Sequence, residues 1–87
     1  MSLTVWQTAA LTLLEFAVRR DEAKGGDGIR TTRDVADYIR ITTRQARDVI
    51  YSLADLGFVE VFEGTPLECC ITQKGVAAIA RAEDAHV

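Results

Sequence analysis

The chain has one histidine, one proline and two cysteines, and the cysteines, Cys69 and Cys70, are adjacent. Each scarcity removes a class of protein. A disulfide framework needs separated cysteines, so a stapled secreted fold is not expected. Two neighbouring cysteines in an alternating segment read as ordinary strand residues, one pointing in and one out. A redox or metal-sensing pair would need a second ligand cluster, and the single histidine, His86, stands next to the C-terminus. Nothing has zinc spacing, so neither a metal nor another cofactor is expected. There is no nucleophile beside a base, and the run from Gly25 to Gly28 lacks the strand and helix that flank a phosphate loop. Enzymatic activity is therefore not expected. Long apolar runs are missing too. None approaches the roughly 18–20 residues of a membrane span, and the N-terminus lacks the charged-then-apolar layout of a signal peptide. The expectation is a cytoplasmic protein with no membrane partner.

What is present is one domain's worth of ordinary globular sequence: 87 residues, 48% hydrophobic and 26% charged. The net charge of −3 does not advertise a nucleic-acid binder. Its distribution says more. Residues 30–51 carry Arg30, Arg33, Arg40, Arg44 and Arg47 against Asp34, Asp37 and Asp48, a local excess of positive charge. The segments on either side are net acidic. Local clustering of basic groups is the footprint that matters for a polyanionic partner.

Residues 3–20 read as a helix. Leu3, Trp6, Ala10, Leu13, Leu14 and Ala17 fall on one face at helical spacing. A second apolar set, Val5, Ala9, Leu11, Phe16 and Val18, lies outside that stripe. A helix apolar over most of its circumference is buried on more than one side. A chain this short cannot cover all of it, so the second set is expected to form a homodimer interface, with the C-terminal helix assisting. Residues 21–29, rich in glycine and alternating charge, read as a flexible loop.

The tripeptide Thr-Thr-Arg then occurs twice, at residues 31 and 42. Thr31 is followed three residues on by Asp34, and Thr42 by Gln45. In each pair the threonine oxygen can accept an amide hydrogen bond while the later side chain reaches back. Two capped helices are expected. The first is short, from Thr32 to Arg40, burying Val35, Ala36 and Ile39. The second runs to Leu56, burying Ala46, Val49, Ile50, Leu53 and Leu56, and stops at Gly57. So tight a link forces a sharp crossing, for which Ala36 and Ala46 are small enough. After Gly57 the period changes from 3.6 to 2. Val59 and Val61, then Leu67, Cys69 and Ile71, alternate with polar positions around a turn at residues 64–66. That is a hairpin with one buried face, to which Ile29 and Arg30 could add a third strand. A last helix over residues 73–84 is expected to bury Val76, Ala77, Ile79 and Ala80.

This order, carried by "TTRDVADYIRITTRQARDVIYSLADLGFVEV" and the later "ITQKG", resembles the winged helix-turn-helix superfamily. It looks most like small prokaryotic transcriptional regulators in the MarR-like and PadR-like neighbourhood. The resemblance covers nearly the whole chain. It implies an α+β, mostly α fold: a three-helix core, a two- to three-stranded wing hairpin and a C-terminal helix. The segments would be an N-terminal helix (1–20), a loop (21–29), the helix-turn-helix (30–57), the wing (58–72) and the last helix (73–84).

The resemblance further implies sequence-specific binding of double-stranded DNA, with the helix from Thr42 to Leu56 in the major groove. Thr43, Arg44, Arg47 and Tyr51 would face the bases, with Thr31, Thr32 and Arg33 toward phosphates, and Thr42 belongs to the same DNA-binding set. Two departures stand out. The turn between the short helices often carries glycine in such proteins where this chain has Arg40. The wing tip, usually basic, here carries Glu60, Glu63 and Glu68, which works against contact with phosphate. The acidic wing keeps an alternative open: a winged helix that binds a protein partner instead of DNA.

Overall fold

All four helices open on a threonine, and at three of them the threonine closes the same reciprocal cap. Thr4 accepts from the Gln7 amide, Thr31 from that of Asp34 and Thr42 from that of Gln45, while each third-residue side chain returns to the threonine amide. These caps satisfy donors a helix start leaves orphaned. They begin α1 (Val5–Glu22), α2 (Thr32–Ile39) and α3 (Thr43–Asp55). The computed structural model describes residues 2–84, so His86 lies outside the described residues. The remaining elements are β1 (Arg30–Thr31), β2 (Val59–Phe62), β3 (Glu68–Ile71) and α4 (Gln73–Asp84).

The three strands form an antiparallel sheet in the order β1-β3-β2. Arg30 stands opposite Cys69, and Val59 opposite Ile71. The third strand is thus Arg30–Thr31, one residue later than expected. Val59, Leu67, Cys69 and Ile71 are buried and Val61 partly so, which is the inward face that alternation requires. Cys69 is enclosed, and burial pushes its thiol up to about 12. Cys70, on the other face, is half-buried and is also raised by burial. Neither thiol is poised as a thiolate at neutral pH.

The core joins all four helices and the sheet. Leu11, Leu14, Ile50, Leu53, Ile79, Val35 and Cys69 are its largest fully enclosed side chains. Two helix faces differ from expectation. In α1 the buried set is Ala10, Leu11, Leu14 and Ala17, with Trp6 40% exposed. The stripe is rotated, because a helix apolar nearly all round has no sharp moment to fix its phase. In α4, Ala78 and Ile79 are buried, while Ala77 and Ala80 are exposed. Alanines carry too little side chain to mark a face.

The segment after α1 is not a free loop. The helix continues to Glu22. The Asp21 carboxylate accepts two bonds from the Arg30 guanidinium, at 2.7 and 3.0 Å, and one from the Gly28 amide at 3.2 Å. The Arg30 guanidinium holds the Asp21 carboxyl below its usual range. Arg30 is thereby a structural clamp between α1 and β1.

Three residues, Arg40 to Thr42, join α2 to α3. Arg40 has φ 67 and ψ 48, the left-handed region that glycine occupies freely and other residues at a cost of about 1–2 kcal/mol. The Arg40 and Ile41 amides both donate to the Ala36 carbonyl. At the other end of the hairpin, Thr72 ties α4 to the end of α3. Its hydroxyl donates to the Gly57 carbonyl at 2.7 Å and accepts from the Gly75 amide at 3.1 Å, and its amide donates to the Phe58 carbonyl. A Cβ on Gly75 would lie 2.1 Å from the Phe58 oxygen. Among the described residues no helix is long and apolar enough to cross a membrane.

Two stability outcomes are expected. Gly75→Ala forces backbone against backbone and costs about 3 kcal/mol or more, read as a large drop in urea midpoint. Arg40→Gly relieves the left-handed residue and gains about 0.5–1 kcal/mol net of glycine's entropy. Its melting temperature rises by several degrees, at about 4–8 °C per kcal/mol for a domain of this size.

Candidate nucleic-acid interface

The buried side of α3 is Ala46, Val49, Ile50 and Leu53, which leaves Thr43, Arg44, Arg47, Asp48 and Tyr51 exposed on the opposite side. The start of α3 meets the start of α2 and the wing turn in one open depression. Thr32 and Arg33 line it from α2, Thr43, Arg44 and Arg47 from α3, and Pro66 and Leu67 from the wing. Three arginines, one from α2 and two from α3, share this surface.

The arginine cluster divides by its partners. Two ion pairs occur among the described residues, Arg19 with Glu15 and Arg30 with Asp21. Arg33, Arg40, Arg44 and Arg47 therefore have no carboxylate within ion-pair distance among the described residues. Their charge is uncompensated and exposed. Such groups attract phosphate and match guanine edges in a two-pronged geometry.

Most of the threonines expected at DNA have other partners. Thr31 and Thr42 are helix caps, and their own amides are held by Asp34 and Gln45. Thr32 is a correction: it is buried, its amide and hydroxyl both donating to the Leu67 carbonyl, at 3.0 and 3.2 Å. Only the edge of Thr32 reaches the depression. In α3 the Gln45 and Ala46 amides are taken by Thr42, leaving the Thr43 and Arg44 amides as the outward donors of the first turn.

Tyr51 is exposed, but its hydroxyl donates to the Glu63 carboxylate at 2.7 Å. That bond joins α3 to the acidic wing turn and, with burial and the negative charge, raises the phenol above its ordinary value. Sequence patterns had no signal for it, since the two residues belong to different elements.

The expected dimer surface on α1 is only partly a surface. Val5 is 82% and Phe16 61% exposed. Ala9 is half-buried. Leu11 is corrected outright: it is fully enclosed in the core. Val18 is half-buried, packed on the core and close against Gly28. Trp6 is exposed as well, at 40%. Among the described residues no group of three His, Cys, Asp or Glu side chains is arranged to hold a metal ion.

No protein-family model matches the chain and no curated protein is detectably similar to it. Solved structures are similar over most of its length. BpsR of Bordetella bronchiseptica, whose DNA binding is regulated by 6-hydroxynicotinic acid, is 24% identical with a TM-score of 0.71. The match covers 92% of this chain and 52% of that one. A variant of ZitR from Lactococcus lactis in complex with DNA is 18% identical, TM-score 0.72, covering 98% and 53%. ZitR itself, a zinc-responsive MarR family member, is 17% identical, TM-score 0.70, covering 99% and 54%. The chain thus spans about half the length of these structures. At such identities the likeness establishes the fold: this is a winged helix-turn-helix.

The burial of Thr32 has a measurable consequence. Thr32→Val removes the hydroxyl bond to Leu67, for a loss of about 0.5–1.5 kcal/mol in stability. Affinity for any nucleic acid should be unchanged once binding is compared at temperatures where both proteins are folded. A fall in affinity without a fall in stability would return Thr32 to the interface.

Proposed function

We propose that the chain is the DNA-binding unit of a cytoplasmic transcriptional regulator, with no catalytic activity of its own. It binds double-stranded DNA sequence-specifically, with α3 in the major groove. The observation that carries this reading is the meeting of Arg33, Arg44 and Arg47, none of them ion-paired, on one open face in a chain of net charge −3. The likeness to a ZitR variant in complex with DNA supports it. Arg44 and Arg47 read base edges, Arg33 and the free amides at the start of α3 meet phosphates, and Arg40 adds charge at the turn.

Two copies joined through Val5, Trp6 and Phe16 of α1 would place two α3 helices on one duplex. The support is the exposure of these large apolar side chains on one helix. Half-sites about 34–36 Å apart follow from such a pair. Sedimentation equilibrium tests the pair separately, since a strictly monomeric 9.6 kDa species would remove the dimer and leave the DNA reading standing.

Selection of genomic fragments with the purified protein, followed by sequencing, tests the DNA reading. The wild type should enrich a common motif. The double substitution Arg44→Ala with Arg47→Ala should lose that enrichment while melting at nearly the same temperature. Unchanged enrichment would defeat the assignment of α3. Enrichment by neither protein would favour the alternative, a winged helix that engages a protein partner.

A further inference from the structure

Among the described residues, the Tyr51–Glu63 bond is the one side-chain hydrogen bond that joins the wing to the exposed side of α3. Arg44, Arg47 and Tyr51 are spaced three and then four residues apart, so they form one stripe along the helix. Glu63 comes from the turn beyond β2 and is exposed. Its carboxylate accepts a hydrogen bond from the phenol at 2.7 Å, within the short range of a charge-assisted bond. The phenol oxygen then has only lone pairs left to offer outward. The carboxylate likewise only accepts. The stripe thus ends in a pure acceptor, after two arginines that are pure donors.

We infer that Tyr51, oriented by Glu63, is a specificity-determining residue that selects a base carrying an exocyclic amino group. This rests on the proposed placement of α3 in the major groove. There, cytosine presents its N4 amino donor and adenine its N6 amino donor, whereas guanine presents N7 and O6 acceptors and thymine an O4 acceptor with a methyl group. An acceptor pair is attracted to the first two and repelled by the oxygens of the others. The arginines do the reverse and favour guanine. The acidic wing therefore acts at the base edge, through Tyr51, and the missing basic tip is no defect of the interface. The raised phenol keeps its proton throughout the neutral range, so the polarity of the pair does not change there.

The test is selection from a randomised duplex pool with wild type, Tyr51→Phe and Glu63→Ala. Both residues are exposed, so thermal melts of the three proteins should overlay. Wild type should show, beside its guanine positions, one position where cytosine or adenine exceeds guanine and thymine by about tenfold, the scale of one specific base contact. Tyr51→Phe should lose that preference, with thymine gaining through its methyl group, and keep the guanine positions. Glu63→Ala frees the phenol to donate, so guanine and thymine should rise at the same position to match the amino bases. Identical base preferences in all three proteins would overturn the inference while leaving the DNA reading intact. A change in Tyr51→Phe alone would overturn the role of Glu63. A wild type that enriches no sequence would overturn both, and that shows in the first arm.

Discussion

The direction of α3 is set by a turn of three residues, and the exposed arginine face exists because that turn holds. Arg40 adopts the left-handed conformation and, with Ile41, hangs from the Ala36 carbonyl. Thr42 then closes the cap of α3 on Gln45. With so short a link, α3 must cross α2 closely, and the buried Ala36 and Ala46 leave room for it. The crossing brings the starts of the two helices to one surface, where Arg33 comes beside Arg44 and Arg47. A residue that pays a conformational cost at Arg40 thus positions three charges that make no ion pair of their own.

The rest of the fold braces this arrangement. Ile50 and Leu53, both fully enclosed, anchor the inner side of α3, which packs against α1, α2 and β2. Thr72 fastens the end of α3 to α4 through Gly57, and Gly75 allows the close approach to Phe58. Gln7, at the start of α1, donates to the Ser52 hydroxyl on α3 at 3.1 Å. Asp21 and Arg30 fix the far end of α1 to the sheet. The arginines of one cluster therefore split by location: Arg30 secures the scaffold, and the others remain free for a partner.

Much of the architecture was legible because it rests on local rules. The caps at Thr31 and Thr42, the stop at Gly57 and the alternation from Val59 to Ile71 are short-range patterns, and each element stands within a residue or two of its expected bounds. The rotation of α1 was not legible, since Leu11 and Trp6 are both large and apolar and only tertiary packing chooses between them. The cap at Thr4 was readable in principle, since Gln7 stands three residues on. Of the site, the exposure of Arg44, Arg47 and Tyr51 followed from the phase of α3, which its buried Ile50 and Leu53 define sharply. The burial of Thr32 and the bond from Tyr51 to Glu63 depend on the wing turn folding back toward α2 and α3. Such contacts between distant segments leave no periodic trace.

The account's central claim is that unpaired arginines around α3 form an electrostatic seat for phosphate despite the acidic chain. The most direct test is the salt dependence of binding to a random-sequence duplex, followed by fluorescence anisotropy between about 50 and 200 mM salt. Each neutralised phosphate contributes about −0.9 to the slope of log affinity against log salt. On random sequence, where Arg44 and Arg47 have no matching base edge and meet phosphates together with Arg33, three such contacts predict a slope of about −2.7, flattened when Arg44 and Arg47 are both alanine. Binding that is indifferent to salt, or no binding at the lowest salt, would contradict the claim.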